Sequence, residues 1–316
     1  MKKYITLALL AFVFIKAEAQ PSEKVITISI PGGTVEGTLL SPSSNPKEKK
    51  LAIIIAGSGP TDRNGNNPLG VSAGSYKMLA ESLASENIAT FRYDKRGIAK
   101  SAVKGFSEAN LSFDDYVNDA LKVYDHMRDS LGYKNIYFIG HSEGSLIGMI
   151  ASQKRPVKGY VSVSGAGRNI DVVITEQLTN QHQPAAIINE VTADLSSLKK
   201  GKLIDSVPQY MYALFRPSVQ PYMISWLKHD PTEEIKKVNC PILILQGTCD
   251  IQVLVRDAKN LYAANPKSKL DTIPSMTHTL KNAESGCFDK DQKTYHDATL
   301  PLNTQFVKDI VSFINN

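Results

Sequence analysis

The segment Gly140-His141-Ser142-Glu143-Gly144 sets a serine between two glycines, after an apolar run over 136–139 and before a helical pattern over 145–153. A G-x-S-x-G pentapeptide in that strand–turn–helix setting puts the serine on a sharp, strained turn with its hydroxyl clear of the backbone. The glycines let strand and helix approach without a Cβ clash. Ser142 is therefore a candidate nucleophile for acyl transfer.

A serine hydroxyl is a weak nucleophile at neutral pH, so it needs a base, and the base needs an acid to orient it. Behind such an elbow the acid and then the base follow the serine along the chain. Of six histidines, His141 lies inside the pentapeptide and reads as a packing residue. His126 sits on a helix, His182 and His229 in a helical stretch, and His296 in a late polar loop. His278 follows a strand pattern over 269–273 and lies in the loop 274–279, where the base is expected. Asp250 comes just after the strand 242–246, whereas Asp271 falls within a strand and Asp257 within a helix. Asp250 is the expected acid, with an Asx-turn as its purely structural alternative. The tetrahedral oxyanion needs N–H donors. The backbone of Glu143, next to the nucleophile, offers one. Ser58, in Gly57-Ser58-Gly59-Pro60 after the strand 51–56, offers the other, the alternative being a simple tight turn. This chemistry needs neither metal nor organic cofactor, and the cysteine spacing gives no zinc pattern.

The surrounding pattern is that of a sheet able to carry these residues. Alternation over 25–30, the turn Pro31-Gly32-Gly33 and a partner over 34–40 read as a hairpin. Short apolar runs over 51–56, 89–93, 136–139, 160–163 and 242–246 read as strands buried on both faces. Helical stretches alternate with them, over 76–84 and over 113–131, where Tyr116, Ala120, Val123, Tyr124 and Met127 share a face and Ser112 caps the start. This is an α/β chain with a mostly parallel central sheet flanked by helices. From about 168 to 238 no strand pattern occurs, and Ile187, Ile188, Val191, Leu195 and Leu198 keep helical spacing; a helical cap inserted over one edge of the sheet is expected. A last helix is expected over about 302–314.

These features resemble the α/β-hydrolase family across almost the whole chain after its first nineteen residues. More narrowly, Gly57-Ser58-Gly59-Pro60-Thr61-Asp62-Arg63-Asn64-Gly65-Asn66 resembles the G-S-G-P-T-D-R-D-G-N loop of a bacterial esterase group often labelled serine aminopeptidase-like. Arg92-Tyr93-Asp94-Lys95-Arg96-Gly97 resembles its Y-D-x-R-G turn, and Gln246-Gly247-Thr248-Cys249-Asp250 its acid loop. The resemblance implies a serine carboxylesterase. Two departures stand out: Asn64 replaces a common aspartate, and Ala99 replaces a common glycine, so its turn should take a conformation that alanine tolerates.

The cap is expected to set the substrate. Tyr222 and Trp226, four apart on a helix of a segment shared with that group, form a candidate apolar wall for an acyl chain, or else bury the cap against the sheet. An aminopeptidase should aim a carboxylate at the substrate ammonium; Glu143, Glu176, Glu190 and Asp194 are available, and nothing in the sequence aims one at Ser142. The first expectation is a carboxylesterase cleaving small to medium acyl esters. A peptidase or amidase with the same triad is the second, and a non-catalytic binding module the third.

The 316 residues, 42% hydrophobic and 21% charged, exclude a disordered chain, a collagen-like fibre and a disulfide-dense miniprotein. No apolar run reaches the roughly 18 residues that a membrane-spanning helix needs. Lys2 and Lys3, the apolar run 4–15 and Ala17-Glu18-Ala19 read as a cleavable secretory leader over 1–19, with 20–316 as the mature hydrolase domain in the periplasm or outside the cell. Loss of three lysines and one glutamate with the leader lowers the formal charge from +5 to +3, too little and too scattered to suggest nucleic acid. No stable membrane anchor is expected; the expected partner is a small acyl ester. Three cysteines in an exported chain leave at least one unpaired, and a Cys249–Cys287 bridge is one of the pairings open to them.

Overall fold

Ile26, Ile28 and Ile30 are buried while their neighbours face solvent, and this period of two folds as strand β1 (Ser22–Ile30), antiparallel to β2 (Gly33–Ser41). The computed structural model describes residues 20–44, 49–283, 286–287 and 291–316; the expected leader, 1–19, lies outside them. Six further principal strands follow: β3 (Lys50–Ile55), β4 (Ala89–Tyr93), β5 (Asn135–His141), β6 (Gly159–Val163), β7 (Ile242–Gly247) and β8 (Lys269–Ile273). They lie in the order β1-β2-β4-β3-β5-β6-β7-β8, and every pairing from β4 to β8 is parallel.

Parallel strands must be covered on both faces. Along β3, Leu51, Ile53 and Ile55 join one apolar cluster and Ala52 and Ile54 the other. Helices α1 (Ser75–Ser85) and, at the far end of the chain, α11 (Thr304–Asn315) supply Leu79, Leu83, Phe306 and Ile310 to the second cluster. On the first face lie α2 (Phe113–Asp125) and α3 (Glu143–Lys154), with Val117, Tyr124, Ile147 and Ile150 buried. A capping box starts α2: Ser112 Oγ accepts from Asp115 N–H, and the Asp115 carboxylate accepts from Ser112 N–H at 2.9 Å. The helical pattern read to residue 131 is α-helical only to Asp125. A π-turn over His126–Ser130 follows, and Gly132 at φ 76° ends it.

Between β6 and β7 run only helices: α4 (Ile170–Asn180), α5 (Ala185–Lys199), α6 (Tyr212–Phe215), α7 (Gln220–Trp226) and α8 (Pro231–Ile235), besides a 3₁₀ turn. The spacing read over 187–198 buries Val191, Leu195 and Leu198 on one face of α5. The remaining helices are α9 (Val255–Ala264), after β7, and α10 (Asp291–His296), before α11. Ala99 departs from expectation. It sits at φ 45°, in the left-handed region that an alanine Cβ disfavours, so the turn keeps the glycine geometry without the glycine.

Candidate active site

Strand β5 ends at His141 and α3 starts at Glu143, so the chain reverses over the single residue Ser142, at φ 55° and ψ −120°. Such a conformation is strained for a residue with a Cβ and persists only where the surroundings impose it. Here they do. A Cβ on Gly140 would lie 2.1 Å from the Gly144 carbonyl oxygen, and one on Gly144 would lie 2.3 Å from that of Ile55. The Ser142 N–H donates to the Val163 carbonyl at the end of β6, at 2.9 Å. Ser142 consequently opens onto a cavity of about 250 Å³ whose wall also holds His278.

Asp250 lies past the carboxyl end of β7, buried, with every lone-pair direction in use. Its Oδ1 accepts the N–H groups of Gln252 and Val253, each at 2.9 Å, and its Oδ2 accepts from Gln246 Nε2 at 3.1 Å and His278 Nδ1 at 2.8 Å. Burial by itself would push this carboxyl up, but the charge and N–H of His278, with the Val253 N–H, hold it below its ordinary value. An anionic Asp250 fixes the His278 proton on Nδ1 and leaves Nε2 as the basic nitrogen. One residue thus makes both the Asx-turn contacts and the bond to His278 Nδ1. Ser142 and His278 share one cavity wall, and Asp250 is bonded to His278 behind it.

Ser58 also lines the cavity, beside Gly57, whose missing Cβ would sit 3.2 Å from Ser142 Cβ. Neither the Ser58 N–H nor the Glu143 N–H donates to another described group, so both are free for an incoming oxygen.

Tyr222 and Trp226 do not line this cavity, nor does any described residue of the 168–238 insertion. The Trp226 ring stacks on Phe113 at 5.8 Å and the Tyr222 ring meets Tyr116 edge-on at 5.7 Å. Both are spent on packing α7 against α2, where an apolar face must be buried. The wall expected from them is supplied instead by the loop after β3, through Thr61, Asn67, Val71 and Ala73, and by Gln252, Leu280 and Tyr295. The carboxylates considered for an ammonium site lie elsewhere too. Glu143 pairs with Lys95 at 2.7 Å, Glu176 with Arg168 at 2.5 Å, and Glu190 accepts from the Tyr210 hydroxyl at 2.7 Å; Asp194, like these three, is absent from the cavity wall.

Three residues of the site were given no role there by the sequence. The Tyr76 hydroxyl accepts the Gly57 N–H at 3.0 Å and donates to His141 Nδ1 at 2.7 Å. His141 Nε2–H donates in turn to the His278 carbonyl at 2.9 Å. His141 is therefore more than packing: it links the loop after β3 to the backbone of His278. Burial, with His278 beside it, pushes its pKa down to about 3, so the ring is neutral and the tautomer set. Lys95 is the third, joining Gly57 to Glu143.

Cys249 and Cys287 form a disulfide, their Cα atoms 4.7 Å apart, which ties the acid loop to the segment ahead of α10; Cys240 is free. At the first departure, Asn64 Oδ1 accepts from Arg92 Nε at 3.2 Å.

A family model described as serine aminopeptidase, S33, matches residues 69–212, which include Ser142 but stop short of Asp250 and His278. Esterase EstD of Thermotoga maritima is 25% identical over 209 residues, 65% of this chain, and the chain spans only 47% of that relative's length. Among solved structures, Est1E from Butyrivibrio proteoclasticus with ferulic acid bound superposes with a TM-score of 0.59 at 19% identity, over 92% of this chain and 98% of that one. A proline iminopeptidase from Mycobacterium smegmatis gives 0.60 at 14%, over the same shares. With the parallel strand order and the elbow between β5 and α3, these likenesses identify the chain as an α/β-hydrolase fold.

Proposed function

We propose that this protein is a serine carboxylesterase acting on esters of small acyl groups. The observation that carries the reading is the meeting of Ser142 and the Asp250-oriented His278 on one small cavity whose described wall holds no carboxylate. His278 Nε2 takes the proton as Ser142 Oγ attacks the ester carbonyl, and the N–H groups of Ser58 and Glu143 receive the oxyanion. The alcohol departs with the proton from His278, leaving an acyl-enzyme. Water, deprotonated by the same nitrogen, attacks it, and collapse of the second tetrahedral intermediate frees the acid and Ser142. Asp250 stays ionised throughout.

The volume of about 250 Å³ favours short acyl chains. The similarity to EstD supports ester substrates; the serine aminopeptidase model gives the second reading, a peptidase, which the lack of an ammonium partner among the described wall residues disfavours. Export through the leader 1–19, with cleavage after Ala19, is part of the proposal, and the Cys249–Cys287 disulfide agrees with an oxidising compartment. Terminal sequencing of the mature protein tests it. The activity is tested with p-nitrophenyl esters from acetate to palmitate, aminoacyl-p-nitroanilides alongside, and Ser142→Ala as control. Ester turnover highest at the short end and lost in the variant is expected; turnover of the anilides alone overturns the esterase.

A further inference from the structure

Lys95 is 2% exposed, follows β4 by two residues, and makes two short bonds under the active site. Its Nζ donates to the Gly57 carbonyl oxygen at 2.7 Å and to Glu143 Oε1 at 2.7 Å, above the ring of Tyr116, whose centroid lies 4.6 Å away. Those two partners are not arbitrary. The Gly57 carbonyl and the Ser58 N–H belong to one peptide unit, which is planar and trans, so they point in opposite directions. Holding the oxygen on one side fixes the direction of the N–H on the other, and Ser58 lines the cavity that Ser142 opens onto. Glu143 is the residue whose own N–H is the second free donor. The opposite edge of the Gly57 residue is gripped by Tyr76, through the Gly57 N–H.

We propose that Lys95 is the positioning residue of the oxyanion hole, one ammonium fixing both of the backbone donors that receive the developing charge. The proposal rests on the serine hydrolase reading above. A charge-assisted bond to the Gly57 oxygen also polarises that peptide unit and makes Ser58 N–H a stronger donor. Burying an ion pair beside a nucleophile is a poor route to stability, since desolvation offsets most of the attraction. Orienting two donors before the substrate arrives is what a hole requires, because no reorganisation is then needed as charge develops.

Lys95→Met alone leaves Glu143 buried without a counter-charge, so the informative variant is Lys95→Met/Glu143→Gln, which is neutral, similar in volume, and keeps the Glu143 backbone. The readouts are kcat and KM on p-nitrophenyl acetate, and inhibition by a trifluoromethyl ketone, whose adduct with Ser142 carries the oxyanion. Urea melts report folding. Removal of a donor outright lowers kcat about 10²–10³-fold. A donor present but loosely aimed is expected to lose about 10–100-fold in kcat, with KM within about twofold. Ketone affinity should fall by a similar factor. A folded double variant with wild-type kcat and ketone affinity overturns the proposal, as does a loss of kcat that merely tracks the unfolded fraction. Should the wild type hydrolyse no ester, the esterase reading fails. The positioning role is then decided by the rate at which a fluorophosphonate labels Ser142 in the two proteins: slower labelling of the variant sustains it and equal rates refute it.

Discussion

Replacing His141 by glutamine isolates the consequence of burying a neutral imidazole between a tyrosine hydroxyl and a backbone carbonyl. Glutamine keeps an acceptor for Tyr76 and a donor for the His278 carbonyl but does not titrate. In the native protein the His141 pKa is lowered from 6.5 to about 3, chiefly by burial, with His278 adding and Asp250 opposing. Between those values the unfolded chain binds a proton that the native state refuses, so stability falls as pH falls. The slope approaches about 1.4 kcal/mol per pH unit, and from pH 6.5 to about pH 4.5 it amounts to about 2 kcal/mol. Asp250, whose pKa is depressed, has the same sign, but its contribution is lost only near and below about pH 4, the unfolded range of an aspartate. It is also common to both proteins. Urea denaturation of wild type and His141→Gln at about pH 6.5, 5.5 and 4.5 should give free energies that converge by about 2 kcal/mol as the wild type weakens. Parallel curves would mean that the native histidine titrates normally, and the Tyr76–His141–His278 link would be wrong.

Asp250→Asn keeps the shape of the acid but turns an acceptor into a donor toward His278 Nδ1, favouring the wrong tautomer; kcat on p-nitrophenyl acetate should fall about 10⁴-fold, and the urea midpoint at neutral pH should fall too, because the buried anion held by four N–H groups is lost. Ala99→Gly, which removes a Cβ from a residue at φ 45°, should stabilise the fold by about 0.5–1 kcal/mol, measured by urea melts, and a loss of stability would deny the strain. Converting Cys249 and Cys287 together to serine releases a link across 38 residues and should lower stability by up to about 4 kcal/mol. It should lower kcat as well, because Cys249 adjoins Asp250. Trp226→Leu should leave the ester chain-length profile unchanged, since that ring packs on Phe113 rather than lining the cavity; a shifted profile would return α7 to the substrate site.

What could be read from the sequence follows from how local each signal is. Strands β3 to β7 announce themselves because both faces are covered, so each is a short apolar run whatever its neighbours do. The residues proposed as nucleophile, acid and base stand at or just past strand ends, and their positions needed only the strands and the spacing of chemistry-bearing residues. The π-turn after Asp125 broke the reading of α2 because apolar spacing is insensitive to one extra residue per turn. Ala99 misled because a backbone can be forced into a glycine's conformation by contacts that lie outside the turn.

Tyr222 and Trp226 failed for a different reason, which also explains why the linking roles of Lys95, Tyr76 and His141 went unseen. Four-residue spacing marks one face of a helix but not what that face meets, and α7 meets α2. Lys95 reads as one more cation in a basic turn, and only sheet order reveals its use. Because β4 pairs with β3, a residue just past β4 stands beside Gly57, just past β3; because β3 also pairs with β5, both stand beside the elbow at Ser142. Tyr76 reaches the same point from α1, which covers the opposite face of the sheet. The proposed reactive residues are therefore legible one at a time, while the residues bonded around them are defined only by which strands are neighbours. Gly57 shows the consequence: its two anchors, Tyr76 and Lys95, lie 19 and 38 residues away along the chain, yet together they hold the N–H and the carbonyl of a glycine whose Cβ position lies 3.2 Å from Ser142 Cβ.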